Sequence, residues 1–201
     1  MRRMIKRLFD IVFSIIGLII LSPLFAAASV LIKLDSRGPV FFRQERVGRY
    51  FKPFRIYKFR TMTPDAGNKG ALITVGGDKR ITRIGHVLRK YKIDEMPQLL
   101  NILKGEMSFV GPRPEVREYV QLFRTDYAKL LMIRPGITDP ASLTYSEEEK
   151  VLAASGDWEN NYVYNILPEK IAISLRYVEN RSIFTDMRLV LRTIVKIAET
   201  R

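Results

Sequence analysis

IVFSIIGLIILSPLFAAASVLI, residues 11–32, carries no charge along its length, and only Asp10 stands at its entrance. As a straight helix it would extend about 33 Å, enough to cross a hydrocarbon core of about 30 Å. Its length, and the lack of a convincing cleavage site after it, set it apart from a secretory signal. Ser22-Pro23 falls at its midpoint, where proline removes a backbone N–H and bends a helix. Arg2, Arg3, Lys6 and Arg7 precede the run, and Lys33 and Arg37 follow it. The preference of cations for the cytoplasmic side of a membrane therefore favours neither end. Two architectures follow: a single span, or a kinked re-entrant helix that enters and leaves by one face. In the second, carbonyls freed at the kink need partners, which Ser22 or packed protein can supply. The residues alone leave the two level.

The 201 residues suffice for one domain plus this appended segment. The absence of cysteine excludes disulfides, thiolate metal sites and a cysteine nucleophile, and the single histidine, His86, excludes a histidine metal cluster. His86 itself has no ligand partner in the sequence and reads as structural. Any catalysis must come from carboxylates, Lys, Arg, Ser, Thr or Tyr. The net charge of +13 calls for anionic partners such as phosphates, acidic lipids or nucleic acid. Nucleic acid is set aside, because the basic residues are dispersed, adjoin an apolar anchor and form no nucleic-acid module.

A second stretch, Lys92-Ile93-Asp94-Glu95-Met96-Pro97-Gln98, places two adjacent carboxylates after the basic run Arg89-Lys90-Tyr91-Lys92. Ile93, Met96, Leu100 and Leu103 recur at helical spacing, so one face of this segment should be buried. Asp94 suits an N-cap, Pro97 a first turn, and Lys104-Gly105 a C-terminal stop. A carboxylate at the positive end of a helix, flanked by cations, can stay ionised as a nucleophile beside a bound anion. Taken alone, the pair reads more simply as ordinary acidic capping.

Around these stretches the chain predicts an α+β fold, mostly helical. Residues 40–48 and 54–62, joined by a loop ending at Pro53, predict a β-hairpin. Residues 63–79, with Pro64, Gly67, Gly70, Gly76 and Gly77, read as a long mobile loop. Helices are expected over 81–92, 115–132, 146–154, 168–176 and 182–199, the last basic and amphipathic, suited to core or membrane interface. Gly111-Pro112-Arg113-Pro114 holds one guanidinium between two prolines, a rigid turn or a mount for phosphate or a planar base. Arg134-Pro135-Gly136 is a second stiff arginine loop. No internal repeat or low-complexity tract is present.

Several of these pieces, in order, resemble the monotopic phosphoglycosyl transferases, bacterial sugar transferases that start membrane glycan assembly. The resemblance rests on the apolar segment with its central Ser-Pro, Tyr57-Lys58-Phe59-Arg60-Thr61-Met62, Asp94-Glu95-Met96-Pro97-Gln98-Leu99-Leu100-Asn101, Gly105 through Pro114, and Arg134-Pro135-Gly136-Ile137-Thr138. It covers residues 1 to about 144 and outweighs the capping interpretation of Asp94.

The resemblance implies a re-entrant membrane helix over 1–36, turning at Ser22-Pro23, and a catalytic domain over 37–201. Interfacial amphipathic helices would surround an active site at the cytoplasmic face of the bacterial inner membrane. It implies a UDP-sugar donor and a polyprenol (undecaprenyl) phosphate acceptor, with membrane lipids as surroundings. Asp94 would take the phosphosugar covalently and release UMP, with Mg²⁺ near Asp94 and Glu95. Glu95 would serve as a metal ligand or in proton handling. Arg89, Arg113 between Pro112 and Pro114, and Arg134 would bind substrate. Some members carry a Gly-Leu-Ala-Gln run and an arginine after the position of Thr138; here Asp139 through Ser146 contain no arginine. The competing expectation is a catalytically degenerate, membrane-anchored basic module that binds acidic lipids or a glycan-pathway protein.

Overall fold

In the computed structural model, which describes residues 2–63 and 76–199, the chain is mostly helical, with two small two-stranded sheets. Pro64, Gly67 and Gly70 of the expected long loop lie outside the described residues. Helix α1 (Arg2–Asp35) is one helix with Pro23 inside it. Strands β1 (Phe41–Val47) and β2 (Pro53–Phe59) form the expected antiparallel hairpin, pairing Phe41 with Phe59 and Val47 with Pro53. Helix α2 (Arg83–Lys90) is shorter than the periodicity predicts, because Thr82 caps it by accepting from the Gly85 N–H. A 3₁₀ turn (Ile93–Gln98) then runs into α3 (Leu99–Lys104), which Gly105 ends in the left-handed conformation.

Strand β3 (Ser108–Val110) comes next. The single helix expected over 115–132 is two, α4 (Arg117–Leu122) and α5 (Arg124–Leu130), broken at Phe123 (φ −116°, ψ 40°). The break lets Tyr119 and Val120 on one side and Tyr127 and Leu130 on the other enter the same core. Strand β4 (Gly136–Thr138) pairs in parallel with β3, a pairing the sequence reading missed. It depends on two glycines: a Cβ on Gly136 would lie 2.1 Å from the Gly111 nitrogen, and one on Gly111 2.3 Å from the Arg134 carbonyl oxygen. Both substitutions are forbidden by contact with backbone.

The rest is helical. Asp139 caps α6 (Pro140–Thr144), and α7 (Glu148–Ala153) and α8 (Trp158–Asn161) follow. A π-helical turn (Tyr162–Ile166) leads into α9 (Leu167–Asn180), and α10 (Ile183–Glu199) comes last, as expected. The main core gathers Val47, Tyr119, Tyr127, Leu152, Tyr162 and Leu167.

Helix α1 is held along one side. Leu18, Leu21, Phe25, Ala28 and Ile32, at alternating spacings of three and four, pack on clusters containing Ile56, Leu99, Ile102, Phe59 and Leu88. Its other side exposes Val12, Ile16, Ile19, Ile20, Leu31 and Leu34. It is the one helix among the described residues long and apolar enough to cross a membrane. Polar contacts fix both of its ends to the remainder of the fold. Near the start, Lys6 donates to the Val110 carbonyl at 2.9 Å and pairs with Asp186. Arg7 donates to the carbonyls of Ile102 and Leu103, the open C-terminal end of α3, at 2.6 and 2.9 Å. Asp10, buried, accepts from the Ser108 hydroxyl and the Phe109 N–H. At the far end, buried Arg60 donates to the carbonyls of Ser36 and Arg37 at 2.7 and 2.8 Å. Asp35 accepts from the Ile84 N–H at 3.1 Å.

Candidate active site

The Asp94-Glu95 pair sits in the 3₁₀ turn, packed against β2 and α2. The expectation that Asp94 caps the helix is corrected: the N-cap is Lys92, held in the left-handed conformation (φ 56°), and no side chain caps this turn. Few non-glycine residues adopt that conformation, because Cβ crowds the backbone there. Freed from capping, Asp94 is only 8% exposed, and its Oδ1 is buried with no hydrogen-bond partner. The Gln98 amide nitrogen, one turn on, is also buried and unpartnered. Burial first, then the neighbouring Glu95, pushes the Asp94 carboxyl up to about 6; Lys58, Arg89 and Lys92 pull the other way.

Glu95 is the opposite case. Burial works to raise its pKa, but Arg113 and then Lys58 outweigh burial and hold it well below the usual carboxylate range. Its Oε1 lies 2.6 Å from the Arg113 guanidinium and 2.7 Å from the Lys58 ammonium. Its Oε2 lies 3.4 Å from the other Arg113 nitrogen. Burial lowers the Lys58 pKa against the opposing pull of Glu95, while Glu95 raises that of Arg113. Glu95 is therefore an ionised brace that holds two cations beside Asp94.

Lys58 lies in the Tyr57–Met62 motif, which by itself gives it no role. A signal was available: on β2, Phe54 and Ile56 are buried on one face, and Lys58 continues that face where a third apolar residue would be expected. Arg46 was missed altogether. Its guanidinium donates to the Pro114 carbonyl at 3.3 Å and pairs with Glu115 at 3.4 Å. Pro112 accepts from the Gly136 N–H, and Val47 donates to the Glu115 carbonyl, both at 3.0 Å. The Pro112-Arg113-Pro114 turn is thus fastened on each side of its arginine.

Arg89, on α2, bears on Asp94 electrostatically and is ion-paired to Glu149 at the start of α7. Arg134 stands apart from this group. Its Nε donates to the Gly105 carbonyl at 2.7 Å, and burial, then Arg7 and Arg49, hold its pKa below the ordinary guanidinium value. The arginine-free loop after Thr138 becomes α6. There Asp139 accepts from the Ser142 N–H and the Ser174 hydroxyl, a structural use of the segment.

The two carboxylates fit a divalent cation differently. The oxygens of Glu95 are spent on Lys58 and Arg113, whereas Asp94 Oδ1 has no partner. Among the described residues, no group of three or more His, Cys, Asp and Glu side chains is gathered as a metal cage. A magnesium ion would have one protein oxygen here and take phosphate oxygens and water for the rest, which is the usual habit of Mg²⁺.

Fold and site together define a mostly helical protein with a helix long and apolar enough to cross a membrane. Its carboxylate pair, Asp94 buried and Glu95 partly so, is ringed by cations. The sequence profile of the family described as bacterial sugar transferase matches residues 1–200. The chain is 40% identical over 193 residues to the UDP-N-acetylgalactosamine-undecaprenyl-phosphate N-acetylgalactosaminephosphotransferase of Aeromonas hydrophila, covering 94% of this chain and 43% of that protein. It is 36% identical over 198 residues to the UDP-glucose:undecaprenyl-phosphate glucose-1-phosphate transferase of Caulobacter vibrioides, covering 97% of this chain and 70% of that protein. It is 39% identical over 198 residues to the exopolysaccharide production protein PSS of Rhizobium leguminosarum, covering 95% of this chain and 94% of that protein. The chain belongs to the bacterial sugar transferase family. It spans less than half the length of the Aeromonas relative.

Proposed function

We propose that this chain transfers a sugar-1-phosphate from a UDP-sugar to polyprenol (undecaprenyl) phosphate, through a phosphosugar carried covalently on Asp94. The observation that carries the reading is the buried, unpartnered Oδ1 of Asp94 beside a Glu95 wholly engaged in holding Lys58 and Arg113. Unpartnered buried carboxylate oxygens are costly, and here a reacting phosphorus would approach the costly atom. Two relatives are named for this reaction on undecaprenyl phosphate.

In the first half-reaction an ionised Asp94 oxygen forms a bond to the sugar-bearing β-phosphorus. The bond from that phosphorus to the bridging oxygen breaks, and UMP leaves with the electron pair. In the second, a phosphate oxygen of the polyprenol attacks the same phosphorus, giving the polyprenyl-diphosphosugar and returning Asp94. Phosphoryl transfer chiefly needs positioning and positive charge. Lys58 and Arg113 supply them with Glu95 as their fixed counter-charge, and Arg89 supplies them from α2. Arg113, on its fastened turn, would hold the uridine nucleotide. The Asp94 carboxylate would hold Mg²⁺ beside the donor, where the ion would offset diphosphate charge.

The membrane arrangement we propose has both ends of α1 at the cytoplasmic face. Both ends are fixed by polar contacts to one body: Lys6, Arg7 and Asp10 at the start, Asp35 and Ser36 at the end. A helix crossing the bilayer once would put those ends on opposite sides, and one folded body could not bond to both. Re-entry at Ser22-Pro23 satisfies this requirement. Phe184, Met187, Leu191 and Ile194 form an exposed apolar stripe on α10, with Arg188 and Arg192 beside it, which suits an interfacial helix.

The test uses the full-length protein with magnesium and either UDP-N-acetylgalactosamine or UDP-glucose. UMP release and the mass of a phosphosugar adduct are measured with and without undecaprenyl phosphate. Asp94→Asn should lose both signals and stay membrane-bound. Continued UMP release by that variant would sink the assignment. No release by the wild type from any UDP-sugar would favour the anchored, non-catalytic module.

A further inference from the structure

Four cations act on the Asp94-Glu95 pair, and three of them, Lys58, Arg113 and Arg89, already have a carboxylate partner. Lys58 and Arg113 are matched by Glu95, which is buried between them. Arg89 is matched by Glu149, which belongs to a different element and is far more open: the Glu149 side chain is 47% exposed, against 13% for Glu95. A fixed partner and an exchangeable one thus face the same catalytic carboxylate.

Glu149 does not hang from a free loop. Its carbonyl accepts from the Gly76 N–H at 3.0 Å, the preceding Glu148 pairs with buried Lys170 at 2.6 Å, and Leu152 of the same helix is fully buried. The backbone of α7 is therefore fixed while the Glu149 carboxylate reaches out to Arg89. Such a group can leave and return by side-chain rotation alone.

We propose, on the reading of the site given above, that Glu149 is a positioning residue of the donor site. It holds the Arg89 guanidinium in the empty enzyme, yields it to a phosphate of the incoming nucleotide, and takes it back as the nucleotide leaves. Its carboxylate is the local stand-in for a phosphate, since both offer two anionic acceptor oxygens to the guanidinium fork. The acidic run Glu147-Glu148-Glu149, which the transferase reading leaves without a role, then divides its work. Glu148 anchors the helix through Lys170, Glu147 pairs locally with Lys150, and Glu149 faces the site.

An occupied Arg89 weakens nucleotide binding by the fraction of time it is unavailable. A half-exposed pair of this kind supports an effect of about two- to fivefold. The experiment is a double-mutant cycle on the full-length protein in detergent, reading the Kd of UDP by calorimetry. The four proteins are wild type, Glu149→Gln, Arg89→Ala and the double variant, each checked for an unchanged Tm. If Glu149→Asp is needed because the glutamine variant is unstable, its shorter reach should give the same direction. Tighter UDP binding in Glu149→Gln, absent when Arg89 is alanine, supports the proposal. Unchanged or weaker binding overturns it, as does tightening that persists without Arg89, which would be a general charge effect. Failure of the wild type to bind UDP at all would instead strike the transferase reading itself.

Discussion

The Ser22 hydroxyl donates at 2.8 Å to the carbonyl of Ile19. That carbonyl lies four residues before Pro23, so it is the acceptor the proline ring leaves without its N–H. One serine thus repairs the hydrogen bond its neighbour deletes, in a helix side where Ile19 and Ile20 are exposed and no water would be present in lipid.

The repair can be measured. Ser22→Ala should lower the Tm of the solubilised protein, leaving an unsatisfied carbonyl at a cost of about 1–3 kcal/mol. In a Pro23→Ala background the backbone N–H returns, and adding Ser22→Ala should then cost almost nothing. Equal losses from Ser22→Ala in both backgrounds would show that the hydroxyl does something else.

Asp94 gives a prediction with a definite pH sign. Its carboxyl is pushed up to about 6 from an ordinary 3.8, chiefly by burial. A raised carboxyl pKa means the folded state takes up a proton more readily than the unfolded state between those two values. The resulting stability is present below about pH 4 and is lost as pH rises through about 6. At pH 8 the wild type therefore carries an ionised, buried Asp94, at a cost on the order of 3 kcal/mol. Without added magnesium, Asp94→Asn should raise Tm by several degrees at pH 8 and by about half as much at pH 5. Formation of the phosphosugar adduct by the wild type should fall about tenfold for each pH step below 6, since only the ionised form attacks. A Tm gain for Asp94→Asn that is the same at both pH values would remove the buried-charge account.

How much of this was legible in the sequence follows from the range of the interactions. The hairpin, α10 and the apolar stripe of α1 are written in local periodicity, and Gly105 marks the end of α3 by its own backbone conformation. The break at Phe123 was not legible, because 116–131 keeps helical spacing throughout and only the shared core on both sides of the break calls for two helices. The β3–β4 pairing joins segments about 28 residues apart in three-residue strands, too short to show alternation. In the candidate site, Asp94 and Arg113 stand in motifs that single them out. The roles of Lys58, Arg46 and Glu149 depend on who their partners are: Glu95, Pro114 with Glu115, and Arg89. No spacing rule reports partners so far apart in the chain.

The glycine contact between β3 and β4 predicts a loss of function at a distance from the chemistry. Gly136→Ala drives a methyl into the Gly111 backbone, whose carbonyl oxygen would be 2.5 Å away and whose nitrogen 2.1 Å. The strands must separate, and with them goes the Gly136 N–H bond to the Pro112 carbonyl that fixes the Arg113 turn. The expected result is a KM for the UDP-sugar raised at least tenfold, with a reduced Tm. A variant with normal donor KM would mean that the turn is held without this pairing.

Asn101 joins the hairpin to the helix that follows the Asp94-Glu95 pair, and it makes the sharpest stability prediction. It is fully buried. Its Oδ1 accepts from the Tyr57 N–H at 2.9 Å, and its Nδ2 donates to the Arg55 carbonyl at 2.8 Å and to Glu106 at 2.7 Å. Those bonds stitch β2, one residue from Lys58, to the body of α3. Asn101→Ala leaves a backbone N–H and a backbone carbonyl unpaired in the interior, which should cost about 2–4 kcal/mol and lower Tm by roughly 5–12 °C. Asn101→Asp keeps the shape and the bond to Tyr57. It replaces both donors with a carboxylate oxygen, set against the Arg55 carbonyl and against Glu106. Removing the amide donor while adding a like charge should make aspartate at least as damaging as alanine above pH 7. It should recover as pH falls and the new pair takes up a proton. Thermal melts of the two variants at pH 5 and pH 8 decide this, and an aspartate variant that matches wild type at pH 8 would refute the donor role assigned to Asn101.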